Sequence, residues 1–207
     1  MNVSFWFDPV CPFCWMTSRW INAVAPERDL QIDWQPISLL FKNNPPPDSP
    51  FYAPTVRTRD LLRVVESVRA GGHADRIGQL YTEFGRRIHH DKALDFDVAA
   101  ILNELELDAT HAEALTQESF DDEIRARMAV GLDLTGADVG TPLLAVPTRD
   151  GGRVGLFGPV ITTYPEAQDA TALWDSFVIM ASYPGFFELK RTRTGRPDLP
   201  PLSASPG

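Results

Sequence analysis

The chain has 207 residues, of which 43% are hydrophobic and 23% are charged, a composition typical of a globular protein with a substantial core. Its formal net charge of -9 at pH 7 argues against nucleic acid and anionic membrane surfaces as partners. No apolar run approaches the roughly 20 residues of a membrane span, and no signal-peptide pattern precedes the first strand-like segment, so we expect a cytoplasmic protein that does not enter membranes.

The opening of the chain predicts a strand, a helix and a second strand. Residues 3–7 are apolar and aromatic, and the Asp8-Pro9 step ends this segment. A helical pattern follows at about residues 12–25, and residues 30–35 alternate between apolar and polar side chains as in a strand. We therefore expect a β-α-β unit.

The middle of the chain predicts a block of helices. Residues 43–50 are rich in Asn and Pro and mark a boundary. Asp95 is expected to cap one helix, and residues 110–113 have the spacing of a capping box. Apolar residues at helical spacing predict helices at residues 61–68, 77–88, 98–105 and 120–134.

The last part of the chain predicts a hairpin and a closing helix. Apolar residues 143–146 and 154–157 flank a glycine-rich turn at residues 149–152. Apolar residues at helical spacing predict a closing helix over residues 173–181. The basic residues 190–196 are expected to be a solvated helix end. The Pro- and Ser-rich stretch from Gly195 is expected to be disordered or loosely docked.

The two cysteines of the chain form a Cys11-Pro12-Phe13-Cys14 motif between the first strand and the first helix. The unsatisfied N–H groups and partial positive charge of a helix N-terminus favour a thiolate, so Cys11 is the expected attacking sulfur. Cys14 lies one turn later on the same side and can resolve a mixed disulfide. Pro12 suits the first helical turn, where its missing N–H is not needed.

Three other interpretations of the cysteine pair are weaker. A zinc site needs about four ligands, and the chain has no second cysteine pair, so we expect no metal. A structural disulfide across two residues would close too small a loop to stabilise the fold much. The position at a helix start argues against an inert buried pair.

The pattern of elements and motifs resembles the DsbA-like branch of the thioredoxin superfamily, and most closely its actinobacterial mycothiol-dependent nitroreductases. The resemblance lies in residues 5–15, 18–20, 138–142, 157–160 and 183–194. It implies an α/β thioredoxin-like fold with a large helical insertion. The thioredoxin-like domain would comprise residues 1–44 and 138–190, the insertion residues 45–137, and a C-terminal tail residues 191–207.

The resemblance also implies a function. By this resemblance, the protein would be a cytosolic thiol-disulfide oxidoreductase with a Cys11–Cys14 dithiol. It would reduce small disulfide or nitro-aromatic electrophiles. No cofactor would be tightly bound. Mycothiol, as a co-substrate, would reduce the dithiol, with electrons supplied indirectly by an NADPH-dependent disulfide reductase. In this superfamily the proline that matches Pro142 is cis and packs beside the cysteines, and the residue that matches Thr141 faces them.

Four further residues are candidates for the site. Asp8 could take part in proton transfer or could simply form a strand-ending turn. Phe13 and Trp15 could line an aromatic substrate slot, although a tryptophan on this helix more often belongs to the core. His89 could reach the substrate or could complement the dipole at a helix C-terminus.

Two functions from other classes stay open. A kappa-type glutathione-transferase-like isomerase shares the insertion architecture but does not use a cysteine pair in turnover. A non-catalytic chaperone or binding module would keep the fold without cycling its disulfide.

The residues between the cysteines predict the reduction potential. The related nitroreductases have Pro-Trp there and the periplasmic oxidants Pro-His, whereas this chain has Pro12-Phe13. Because no histidine stabilises the Cys11 thiolate, we expect a potential nearer to those of reductases than to those of periplasmic oxidants. Redox titration against glutathione or a known couple measures it, and a value close to about -120 mV would contradict the prediction.

Overall fold

The computed structural model describes residues 1–148 and 150–199. It contains four strands and seven α-helices within those residues: β1 Asn2–Phe7, α1 Pro12–Arg28, β2 Gln31–Pro36, α2 Leu39–Asn43, α3 Tyr52–Ala70, α4 Ile77–His89, α5 Val98–Glu104, α6 Asp121–Thr135, β3 Leu143–Pro147, β4 Arg153–Phe157 and α7 Ala167–Ala181. Short 3-10 helices occur at Ala74–Arg76, Ala109–Thr116 and Glu118–Phe120. The chain is therefore an α/β protein, as the sequence predicts.

The four strands form one sheet in the order β2-β1-β3-β4. β1 runs antiparallel to β3, with Trp6 opposite Leu143, and β3 runs antiparallel to β4. Five consecutive residues of β1 are buried, and four of them are apolar or aromatic, the exception being Ser4. The ring of Phe5 lies 5.1 Å from that of Trp34 on β2, so large aromatic side chains join neighbouring strands.

The structure divides into two compact units. The first contains Met1–Trp6, Cys11–Gln35 and the chain from Val130 onward, and the second contains Phe7–Val10 and Pro36–Ala129. In the first unit, Trp20 on α1 packs against Trp174 on α7, and its indole N–H donates to the carbonyl of Ala170 at 2.9 Å. The domain boundaries at residues 44/45 and 137/138 stay predictions.

The second unit is mostly helical. Its core residues on α3 and α4 follow the helical spacing seen in the sequence, and the ring of Tyr81 stacks on Phe7 with centroids 4.0 Å apart. The fully buried members of this set are Leu61, Leu62, Val64, Val65, Val68, Ile77, Leu80, Tyr81 and Phe84. Apolar periodicity therefore located these two helices correctly.

Two predicted helix caps are wrong. The side chain of Asp97, not Asp95, caps α5 by accepting from the backbone N–H of Ala100 at 3.0 Å. The residues around Thr110 form no capping box, because Asp108 caps a 3-10 helix there by accepting from the N–H of Thr110 at 2.9 Å. In both cases the acidic residue with the extended backbone conformation needed at an N-cap takes the position.

The C-terminal segment also differs from the prediction. α7 ends at Ala181, and residues 186–194 adopt no regular secondary structure, so the basic residues 190–196 are not a helix end. The hairpin joins β3 to β4 as predicted, while Arg149 of its turn and residues 200–207 of the predicted tail lie outside the described residues. No helix in the described parts of the chain is long and apolar enough to cross a membrane.

Gly131 on α6 marks a close approach of this helix to the sheet. A Cβ at this position would lie 2.8 Å from Cε2 of the buried Trp6. We expect Gly131→Ala to lower the free energy of unfolding by about 1–3 kcal/mol, although alanine itself favours a helix over glycine by about 1 kcal/mol. Urea unfolding of this variant beside Val130→Ala, an exposed neighbour on the same helix, measures the effect. A Gly131→Ala protein as stable as Val130→Ala would contradict the prediction.

Candidate functional site

Cys11 is the N-cap residue of α1. Its backbone is extended (φ -75, ψ 112), and its Sγ accepts a hydrogen bond from the backbone N–H of Cys14 at 3.4 Å. Pro12 occupies the first helical position, where it needs no N–H partner. Both cysteines are free thiols and both are buried, Cys11 with 6% exposure and Cys14 with none. The backbone geometry thus directs the two sulfurs to the same helix end.

The pKa of the Cys11 thiol is lowered from its ordinary value, mainly by a hydrogen bond from the side chain of Cys14. Burial opposes this shift, while hydrogen bonds from Thr141 and from the backbone N–H groups of Cys14 and Phe13 add to it. Donors aimed at one sulfur favour its charged form. These hydrogen bonds therefore favour the thiolate form of Cys11.

Thr141 and Pro142 lie beside Cys11. The peptide bond between them is cis, the geometry that the resemblance implies. The Cys11 thiol donates to the carbonyl of Thr141 at 3.8 Å, and Thr141 and Pro142 are both buried. The carbonyl of Pro142 accepts from the N–H of Gly158 at 2.8 Å. Because Pro142 directly precedes β3, the pairing of Leu143 with Trp6 brings this loop to the end of β1 that leads into the motif.

The aromatic side chains near the cysteines differ in exposure. Phe13 is half-buried, whereas Trp15 has 1% exposure. The guanidinium of Arg19 lies 4.2 Å from the Trp15 ring centroid. Trp15 is thus a core residue in this structure, the alternative that the sequence favoured, and Phe13 is the ring available at the surface of the motif.

Asp8 lies in the second unit and is completely buried. Its carboxylate accepts from the backbone N–H of Val10 at 3.0 Å and from that of Leu39 at 2.7 Å. Burial raises the pKa of Asp8 from 3.8 to about 6, although these hydrogen bonds and one from Thr58 act in the opposite direction. Asp8 therefore holds two backbone segments together, and its pKa lies near neutrality.

His89 also lies in the second unit, at the end of α4. It is buried, and its Nε2 lies 2.9 Å from the carbonyl oxygen of Pro9. A carbonyl only accepts, so Nε2 carries the proton of this hydrogen bond. The contact links α4 to the segment that precedes the cysteine motif.

Arg193 is a residue at the motif that the sequence analysis missed. Its guanidinium carbon lies 4.6 Å from the centroid of the Phe13 ring, within cation–π distance. The run of basic residues in an acidic chain was the available signal, but it gave no indication of which residue they contact. Among residues 1–148 and 150–199, no cluster of three His, Cys, Asp or Glu side chains is placed to hold a metal ion.

Comparison with known proteins identifies the family. The family model described as Rv2466c-like, mycothiol-dependent nitroreductase Rv2466c, matches residues 10–191. The chain belongs to this family. It is also 28% identical to the uncharacterized protein Rv2286c of Mycobacterium tuberculosis over 201 residues, which cover 93% of this chain and 83% of the relative.

Two solved structures of low sequence identity share the fold of this chain. The cytosolic disulfide reductase DsbM of Pseudomonas aeruginosa superposes with a TM-score of 0.57 at 15% identity, covering 87% of this chain and 100% of that one. The oxidoreductase DsbA of Xylella fastidiosa gives 0.50 at 18% identity, covering 86% and 84%. The fold is therefore the expected DsbA-like thioredoxin fold. Membership of the matched family makes the chain an oxidoreductase.

The raised pKa of Asp8 predicts a pH dependence of stability. The folded protein holds this proton more tightly than the unfolded chain, so its contribution is complete below about pH 4 and is lost as pH rises through about 6. We expect the free energy of unfolding of the wild type to fall over this interval relative to Asp8→Asn, by at most about 3 kcal/mol.

Urea unfolding of both proteins at several pH values, with Asp48→Asn as the exposed control, measures the difference. If Asp8→Asn does not fold, titration of the Asp8 carboxyl by carbon NMR gives its pKa directly. Parallel stability curves, or a carboxyl that titrates near pH 4, would contradict the prediction.

Proposed function

We propose that this protein is a cytoplasmic, mycothiol-dependent thiol-disulfide oxidoreductase in which Cys11 is the nucleophile and Cys14 the resolving cysteine. The observation that supports this most is Cys11 as the N-cap of α1, where its sulfur accepts from the backbone N–H of Cys14 and lies beside Thr141, and where hydrogen bonding lowers the pKa of its thiol. A lowered thiol pKa increases the fraction of reactive thiolate. Family membership supports the choice of mycothiol.

The first half of the reaction oxidises the dithiol. The Cys11 thiolate attacks one sulfur of a small disulfide, the substrate S–S bond breaks, and the departing thiolate takes a proton. Cys14 then loses its proton and attacks the Cys11 sulfur of the mixed disulfide, which releases the second substrate thiol. Two electrons pass to the substrate. A nitro group reduced to a nitroso group would take the same two electrons and two protons and release water.

The second half restores the dithiol. One mycothiol thiolate attacks the Cys11 sulfur of the Cys11–Cys14 disulfide, which forms a mixed disulfide and releases Cys14 as a thiol. A second mycothiol thiolate attacks the sulfur of the bound mycothiol, which releases the Cys11 thiolate and mycothiol disulfide. An NADPH-dependent disulfide reductase would then reduce this product. No tightly bound cofactor takes part in these steps. Glutathione is the natural comparison thiol, because the Pseudomonas aeruginosa reductase of the same fold has been solved with GSH.

The remaining candidate residues have subsidiary roles in this proposal. Thr141 and Pro142 form the loop against which the substrate sulfur approaches Cys11, and Phe13 offers a partly exposed aromatic surface to a flat electrophile. Trp15 supports the motif from the core. Asp8, with a pKa of about 6, is the proposed proton acceptor, and His89 is proposed to act in substrate binding.

Cysteine variants test the assignment of the two sulfurs. Cys14→Ser cannot resolve the mixed disulfide, so we expect an adduct of one substrate thiol on Cys11 that intact-protein mass spectrometry detects. Cys11→Ser lacks the nucleophile and is expected to form no adduct. Turnover that persists in Cys11→Ser would instead favour the kappa-type isomerase, and an adduct on Cys14 would reverse the roles.

The choice of reductant is tested by stopped-flow fluorescence of the oxidised protein, because Trp15 follows the motif directly. We expect a fast fluorescence change with mycothiol and a much slower one with glutathione. If dithiothreitol reduces the protein while neither of these thiols does, mycothiol dependence is wrong, and a disulfide that no cellular reductant opens would favour a non-catalytic module.

A further inference from the structure

Residues 190–196 form a basic strap, a segment with four cations and no acidic residue in a chain of net charge -9. The four are Lys190, Arg191, Arg193 and Arg196. All are exposed, and none forms an ion pair with a carboxylate among the described residues. The positive charge of the basic strap is thus not neutralised by the parts of the chain that the structure describes.

The basic strap is anchored on its C-terminal side. After it, the N–H of Asp198 donates to the carbonyl of Thr162 at 2.7 Å, and Asp198 forms a parallel bridge with Thr163. Arg193 therefore lies five residues before an anchored position, which restricts where its side chain can reach.

Arg193 contacts the ring that stands between the two cysteines. Its guanidinium carbon lies 4.6 Å from the Phe13 centroid. A guanidinium has five N–H donors in a fixed plane and binds carboxylates through two parallel hydrogen bonds. An aromatic face accepts the cation without occupying these donors as a carboxylate would. The contact therefore places an available anion-binding group at the edge of the cysteine motif.

We propose that Arg193 is a specificity-determining residue that binds the carboxylate of small anionic disulfides as they approach Cys11. The inference rests on the dithiol function proposed above and adds a class of substrate to it. The reduced enzyme attacks the disulfide, two substrate thiols leave, and the Cys11–Cys14 disulfide forms. Arg193 takes no part in electron transfer; it retains the carboxylate while the S–S bond is attacked.

The experiment compares two aromatic disulfides that differ in charge. Reduced wild type is mixed in a stopped-flow instrument with dithiobis(nitrobenzoate), which carries two carboxylates, and separately with dithiodipyridine, which is neutral at neutral pH. The measured quantity is the second-order rate constant for dithiobis(nitrobenzoate) divided by that for dithiodipyridine. We expect Arg193→Gln to lower this ratio about threefold to tenfold. Added salt should reduce the difference in this ratio between wild type and Arg193→Gln, because salt screens exposed charges.

Two control variants separate charge at Arg193 from charge in the basic strap. Arg193→Lys keeps the cation without the planar fork and should give an intermediate ratio. Lys190→Gln removes one charge from the same strap at a residue with no described contact to Phe13, and should change the ratio by less than Arg193→Gln. A decrease of equal size in Lys190→Gln would mean that the overall charge of the strap, not Arg193, selects the anion, and would overturn the assignment.

Two further outcomes would overturn the inference. An unchanged ratio in Arg193→Gln would show that Arg193 does not bind the carboxylate of the substrate. Equal slowing of both disulfides would show that Arg193 acts through the reactivity of Cys11 and not through substrate charge. Failure of the dithiol function has a different signature, because wild type would then react with neither disulfide faster than Cys11→Ser does.

Discussion

The hydrogen bond from the backbone N–H of Cys14 to Cys11 Sγ, 3.4 Å long at the first turn of α1, is the contact on which the proposed chemistry depends. It exists because Cys11 takes the N-cap position, where a side chain accepts from one of the unsatisfied helix donors. Serine or aspartate would ordinarily serve there. A sulfur in the same position receives the same donors, and the result is a thiolate stabilised by the fold itself.

The segment before Cys11 is fixed by a buried carboxylate. Asp8 accepts from Val10 and Leu39 with no exposure to solvent, and the cost of burying it raises its pKa to about 6. The two interpretations that the sequence left open for Asp8 are therefore compatible. The hydrogen bonds are those of a structural turn, and the raised pKa is the property that a proton acceptor near neutral pH requires.

Much of the fold was predictable because its signals are periodic. The buried strand β1 and the apolar faces of α3 and α4 repeat over many residues, so a single exception does not hide them. The helix caps were predicted wrongly because the position of a cap depends on the backbone conformation of a single residue. Asp97 caps α5, two residues after the predicted Asp95. Cys11 and Cys14 could be recognised from local sequence, whereas Thr141 was found only through the resemblance, since its contact with Cys11 spans 130 positions.

The contact between Arg193 and Phe13 was beyond prediction for a different reason. Exposed residues in an irregular segment have no periodicity to place them, and the net charge of -9 argued against nucleic acid and anionic membrane surfaces as partners. That argument holds for extended partners such as nucleic acid, which experience the whole surface. A small ligand at Cys11 experiences chiefly the charges within a Debye length of about 8 Å at physiological salt. Arg193, whose guanidinium carbon lies 4.6 Å from the centroid of the Phe13 ring, is a cation within this distance of the cysteine motif.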